Sequence, residues 1–289
     1  MSKIHFFVGE KGGVGKSFAT RSMIEYYQKK HPGKYEIFDL DTPNFDVGLL
    51  YSPEHYLLPA SNTPEGKEQD KEQDKGQDKG QEGSQQAPNS GELLNGSGTA
   101  DQNSRRLIYF TEDRRRKNSV DRIIELAINE KKDIIVNTPA NTQRMMINWF
   151  QESDLVNLLT KHKIIPVFWF VSNGSSSSFE SLLALLAKFK ETKAKVVLVR
   201  NLHNLEEDEW TDIFQGRGAS IKSTLDEAKV TYFSLPGLDY NATFALEGSK
   251  MTFSQFRDGS QGTILDRQRV STFLNDSFEK FDACLATIK

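Results

Sequence analysis

The opening of this chain constrains its fold more than any other stretch. Ile4–Val8 is a short apolar run of β-formers, Gly9–Ser17 is rich in glycine, and Phe18–Lys30 has helical composition. His31-Pro32-Gly33 stops that helix, and Tyr35–Leu40 reads as a second strand, with acids at Asp39 and Asp41. Strand, glycine loop, helix and strand in that order imply a parallel βαβ unit, because parallel strands need a long crossover between them. The pattern recurs. Arg106–Thr111, Asp133–Val136, Ile164–Val171, Lys195–Arg200 and Val230–Leu235 are further strand candidates. Helices are expected at Ser119–Asn129, Asn141–Leu159, Phe179–Phe189 (capped from Ser175–Ser178) and Val270–Ile288. Continuous apolar strands between amphipathic helices predict an α/β fold, a mostly parallel sheet flanked by helices.

One tract breaks this rhythm. Within Asn62–Ser104, residues Lys67–Glu82 are four near-copies of a tetrapeptide: KEQD, KEQD, KGQD and KGQE. The tract lacks aromatic residues, its only leucines are Leu93 and Leu94, and its nine acids and four lysines give it a charge of −5. It cannot bury enough surface to offset its ordering entropy, so it reads as a flexible insertion in one domain spanning residues 1–289. It is either a solvated spacer or a segment that engages a partner. The whole chain carries −3, which leaves +2 for the remainder. That balance neither requires nor excludes a nucleic-acid surface. The single cysteine, Cys284, rules out an internal disulfide and suits a reducing compartment. There is no signal-peptide core, and no stretch reaches the roughly 20 apolar residues of a membrane span. A cytoplasmic location is the expectation.

Glu10-Lys11-Gly12-Gly13-Val14-Gly15-Lys16-Ser17 carries the clearest chemistry. Glycines let backbone N–H groups turn toward an anion, and the following helix adds its free N–H groups and positive end. Lys16 is placed to reach β and γ phosphates, and the Ser17 hydroxyl to ligate Mg²⁺. ATP and Mg²⁺ are the expected ligands, and a P-loop nucleoside-triphosphatase fold is the specific expectation. The usual motif has glycine where Glu10 stands. Dinucleotide binding fits poorly, because no clean glycine fingerprint is present.

Lys11–Ser17 resembles the loop of the ParA/MinD family of deviant Walker A ATPases, Lys-Gly-Gly-x-Gly-Lys-Ser/Thr, throughout its length. The resemblance implies a catalytic set of Lys11, Lys16 and Asp41. Lys11 would cross an ATP-bound sandwich dimer to the partner's phosphates, and Asp41 would position the attacking water. It also implies that Gly12, Gly13, Val14, Gly15, Lys16, Ser17 and Phe18 hold the nucleotide. Asp39 would support Mg²⁺ through water; the plainer reading of both acids is turn formation at a strand end. The family usually has proline after the second acid, where this chain has Thr42. In Ile134–Ala140, Asn137 replaces the family's aspartate. It can orient a metal-bound water but brings no charge, which suggests slow hydrolysis. Asn201, ending Val197–Asn201, is either the family's base reader or a local cap or turn residue.

Lys3-Ile4-His5-Phe6, Met251–Gln255 and Asp266–Arg269 resemble ParA-like ATPases of plasmid stabilisation and conjugative transfer. Carboxysome-positioning relatives share the architecture. The resemblance implies an ATP-dependent homodimer, non-specific DNA on the nucleoid and a cargo adaptor protein as partners. Arg200, Arg217, Lys222, Arg257, Arg267 and Arg269 are the DNA candidates. A membrane role for Val270–Ile288 is disfavoured because its polar face is not strongly basic. Two rivals stay open: an ATP-gated adaptor that barely hydrolyses, and a small-molecule kinase or ligase with an acceptor site near Asn137–Gln143.

Overall fold

The computed structural model describes residues 1–9, 11–56, 108–111, 113, 117–216 and 218–288. Glu10, the Asn62–Ser104 tract, Arg106, Leu107 and Arg217 lie outside the described residues.

Six strands form one parallel sheet: β1 (Ser2–Val8), β2 (Tyr35–Asp39), β3 (Asp133–Asn137), β4 (Ile164–Ser172), β5 (Lys195–Asn201) and β6 (Thr231–Leu235). Their order is β2-β3-β1-β4-β5-β6. The registers include Phe7 beside Asn137 on one side and Trp169 on the other. The helices are α1 (Lys16–Lys30), α2 (Asp46–Tyr51), α3 (Pro53–Tyr56), α4 (Asp121–Glu130), α5 (Gln143–Glu152) and α6 (Leu155–Lys161). The remainder are α7 (Ser176–Phe189), α8 (Glu207–Gln215), α9 (Ala219–Glu227), α10 (Tyr240–Ser249), α11 (Phe253–Asp258) and α12 (Ile264–Thr287).

The strand order dictates the layering. From β1 the chain steps to β2 in one direction, and every later crossover steps the other way. Right-handed crossovers therefore place α1 on one face and α4–α9 on the opposite face. α10–α12 return to cover the α1 face. Alternation along β1 divides the core accordingly. Ile4, Phe6 and Val8 join the α4–α9 layer with Phe150, Leu182 and Trp210. Phe7 joins the α1 layer with Met23, Phe253 and Phe281. Every residue of β4 is buried, as a central strand covered on both faces requires.

Three local expectations are corrected. Ile108–Thr111 is not a strand. Ile108 is buried in the α4–α9 layer and Phe110 packs edge-on against Trp149, so side chains are anchored while the backbone stays off the sheet. Asn141–Leu159 is two helices, because Asp154 adopts a left-handed φ of 46° between them. The last helix begins at Ile264, where Thr263 and Asp266 form a reciprocal cap. Among the described residues, no helix is long and apolar enough to cross a membrane.

His5 is fully buried in the β1 centre. Trp169 Nε1 donates to its Nδ1 at 3.0 Å, so the other ring nitrogen carries the proton of a neutral imidazole. That Nε2 sits 2.9 Å from the Tyr27 hydroxyl, which donates to Asp133 Oδ2 at 2.7 Å. Burial holds the imidazole pKa down at about 4.

Candidate functional site

The β1–α1 loop lies at the carboxyl edge of the sheet, where β1 departs to one face and its neighbours β3 and β4 depart to the other. Open parallel sheets bind ligands at such a divergence. Gly13 and Gly15 have φ of 76° and 96°, values that favour glycine. Gly15 is the N-cap of α1 and no side chain caps that helix, so its first-turn N–H groups face the loop unclaimed by a side chain.

A cleft of about 740 Å³ opens over this loop. Gly12, Gly13, Gly15, Lys16, Ser17, Phe18 and Asp41 all line it, so the fold brings seven residues singled out from the sequence to one wall. Lys16 is 6% exposed, and its Nζ donates to the Lys11 carbonyl at 3.3 Å. Burial lowers the Lys16 pKa, and the nearby Asp41 carboxylate opposes the shift. Burial raises the Asp41 pKa, with Lys16 opposing and Asp46 adding to the rise. The Lys11 side chain is exposed.

Asp39 is placed differently. It is fully buried, and four protein N–H groups occupy its carboxylate. Oδ1 accepts from Asp41 N at 3.1 Å and Asn137 Nδ2 at 2.9 Å. Oδ2 accepts from Val47 N at 2.9 Å and Gly48 N at 2.8 Å. Asp39 thereby caps α2 and ties β2 to β3. Burial pushes its pKa up, and these donors work against the rise. Asn137 is equally buried, and its Oδ1 accepts from Thr20 Oγ1 at 3.3 Å. The two residues meet each other, and neither lines the cleft. An aspartate at 137 would put two buried carboxylates in contact, so the amide is the side chain that this arrangement tolerates.

Asn201 also sits beneath the loop. Its Nδ2 donates to the Val14 carbonyl at 2.9 Å and its Oδ1 accepts from His203 N at 3.1 Å. A methyl group added to Gly15 would collide with this amide. Of its two sequence readings, the turn-forming one describes this geometry, with the added task of holding the loop down. Val14 is buried and turns into the α1 layer.

Several cleft residues went unnoticed in the sequence: Arg21, Asp46, Leu49, Leu50, Leu246, Glu247 and Lys250. Arg21 NH1 donates to Glu247 Oε1 at 2.6 Å, NH2 donates to the Met251 carbonyl at 3.2 Å, and the guanidinium lies 4.8 Å from the Phe253 ring centre. Its position one helical turn beyond Ser17 was the available signal. The α10 contribution had none, since it arrives from more than 200 residues away.

The described DNA candidates are largely neutralised. Arg200 pairs with Glu207, Lys222 with Asp226, and Arg257 with Asp258. Arg269 pairs with Asp239 and Asp266, while Arg267 donates to the carbonyls of Gln261 and Gly262. No protein-family model matches the chain, and no curated protein matches it in sequence.

Proposed function

We propose that this protein is a P-loop ATPase of the ParA/MinD kind, a Mg²⁺-dependent switch that binds and hydrolyses ATP. One observation carries the reading. An uncapped helix N-terminus, the buried Lys16 ammonium and the Asp41 carboxylate converge on one cleft at the carboxyl edge of a parallel sheet. The donor set fits a triphosphate. N–H groups and an ammonium face the same space, a methyl placed on Gly12 or Gly13 would meet nothing within 4 Å, and the volume suits a nucleotide.

In this reading the Gly12–Ser17 backbone and Lys16 hold the phosphates, with Lys16 stabilising charge on the transferred group. Phe18, Leu49 and Leu246 shield the cleft from water. Ser17 holds the Mg²⁺, which when bound neutralises phosphate charge. Asp41 orients the attacking water. Asp39 acts as a positioning residue, since it fixes the Asp41 backbone through their hydrogen bond. Lys11, exposed at the loop, serves the neighbouring subunit of an ATP-dependent homodimer, whose assembly state is the output. By the same resemblance, the cargo is a plasmid or other intracellular body reached through an adaptor. A second reading, an ATP-gated adaptor with little hydrolysis, is favoured by Asn137. It leaves β3 without a charged group at its end.

Nucleotide titration of the full chain tests the assignment. Lys16→Ala should weaken ATP binding at least about tenfold through loss of charge-assisted hydrogen bonds. Unchanged affinity would overturn the site. Phosphate release then separates the two readings, because an adaptor would bind and dimerise without turnover.

A further inference from the structure

We propose that the groove between α5 and α7 is a second ligand site, for a small hydroxylated organic dianion of the sugar bisphosphate class. Its occupant also bears on the cleft, through a loop that borders both. The binding goes beyond the ATPase reading, and only the effect on the cleft rests on it.

The groove holds about 390 Å³, room for a small metabolite. Arg144, Ile147, Asn148 and Gln151 line it from α5, at the three- and four-residue spacing that shares one helix face. Ser181, Ala184 and Lys188 line it from α7 at the same spacing, and the small side chains of the first two leave the gap open. The buried Ile147 supplies an apolar floor. Asn141 and Gln143 close the end nearest the cleft. Among the described residues no acid lines the groove, and neither Arg144 nor Lys188 has an ion-pair partner.

Exposed amides on a helix are ordinary and would mean little alone. Gln143 is different. Its Nε2 donates to the Ser181 carbonyl at 2.8 Å, and because that carbonyl can only accept, the amide cannot be turned round. Its Oε1 is thereby left buried without a hydrogen-bond partner. A buried acceptor is unfavourable while unpaired, and a ligand hydroxyl beside Gln143 would supply the donor. The charges define the rest of the ligand. α5 and α7 both lead back from the carboxyl edge of the sheet, so they run in the same direction, and the Gln143–Ser181 contact sets their register. Counted from that contact at the helical rise, Lys188 lies about 9 Å further along than Arg144. A cation toward each end, with the Asn148 and Gln151 amides alongside, matches an anionic group at each end of a ligand and hydroxyls between them. Asn141, at a left-handed φ of 60° that asparagine tolerates, lines the groove, while Ala140 before it lines the cleft. Thr138 Oγ1 donates to the Phe7 carbonyl at 2.6 Å and Thr142 Oγ1 to the Pro139 carbonyl at 2.9 Å, so this shared loop is short and tied at both ends. A ligand held by Asn141 and Gln143 therefore restrains one wall of the cleft.

Calorimetric titration of the full chain with fructose 1,6-bisphosphate tests the groove, beside fructose 6-phosphate and inorganic phosphate. The bisphosphate should bind saturably, the monophosphate about tenfold more weakly, and inorganic phosphate more weakly still. Arg144→Gln and Lys188→Gln should each weaken bisphosphate binding about three- to tenfold. Ala184→Glu, which fills the groove and sets an acid in it, should abolish binding. All three positions are exposed, so the variants should melt with the parent. Lys16→Ala should bind the bisphosphate as the parent does, which separates the groove from the phosphate loop. Absence of saturable binding, binding that survives Ala184→Glu, equal affinity for inorganic phosphate, or loss in Lys16→Ala would overturn the proposal. ATP affinity measured with and without saturating bisphosphate should differ by about threefold or more, and equal affinities would overturn the link through the loop. A chain that binds the bisphosphate and no ATP would refute the ATPase reading and uphold the groove.

Discussion

Asn137→Asp examines the buried support under the cleft. Asn137 Nδ2 lies 2.9 Å from Asp39 Oδ1, and both residues are fully buried. The substitution would set two carboxylates against each other at about that distance. Two unit charges so placed repel by about 6 kcal/mol at an effective dielectric of about 20, so the pair keeps one proton. Holding it at pH 7, against an unfolded-state pKa of about 3.9, costs about 4 kcal/mol. The acid–carboxylate hydrogen bond that results roughly replaces the lost amide bond, leaving that cost standing. The variant's protonated carboxyl has a folded pKa above its unfolded value. Its penalty is therefore absent below about pH 4 and grows as pH rises. Urea unfolding of both proteins should show a gap of about 4 kcal/mol at pH 7 that falls to about 1 kcal/mol at pH 4.5. Equal stability at pH 7 would refute the account of the Asp39–Asn137 contact. Selective rescue of the variant by Mg²⁺ would show that the added acid reaches a metal.

Stability should also fall on the acid side through His5, whose depressed folded pKa lets the unfolded chain bind the proton first. Its contribution is intact above about pH 6.5 and lost by about pH 4, worth about 3 kcal/mol, and urea unfolding of His5→Gln should show a flatter pH profile. Asn201→Ala should cost about 1 kcal/mol in urea unfolding and weaken ATP binding by loosening the loop, while a base reader would instead show altered preference between ATP and GTP. Asp41→Ala should bind ATP but release phosphate at least about a hundredfold more slowly and accumulate as a dimer by solution mass; normal turnover would assign water positioning elsewhere. Lys11→Ala should lose the ATP-dependent mass shift while its ATP affinity stays within about threefold, and an unaltered dimer would remove the cross-subunit role.

The strand pattern was legible because fully buried strands need continuous apolar runs, as Ile164–Val171 has. The loop was legible because its glycines and lysine are local in sequence. Partnerships between distant residues were not. Nothing near Asp39 signals that its carboxylate is consumed by Val47, Gly48 and Asn137, and nothing near Asn201 points to Val14. The α10 wall was hidden for the same reason, since Arg21 and Glu247 meet only through the tertiary fold. Ile108–Thr111, within the expected strand Arg106–Thr111, misleads because an apolar run records side-chain burial and leaves the backbone's partners open.

The Asn201–Val14 hydrogen bond joins positions 187 residues apart. A ribosome releases Lys16 and the glycines early, yet the floor that holds them in place emerges only with β5. A nascent chain cut short before Asn201 would carry the whole loop sequence and still lack its seat. Arg21 waits longer, until Glu247 is made. The cleft is therefore completed only near the end of synthesis, when the chain from β5 to α10 has been made.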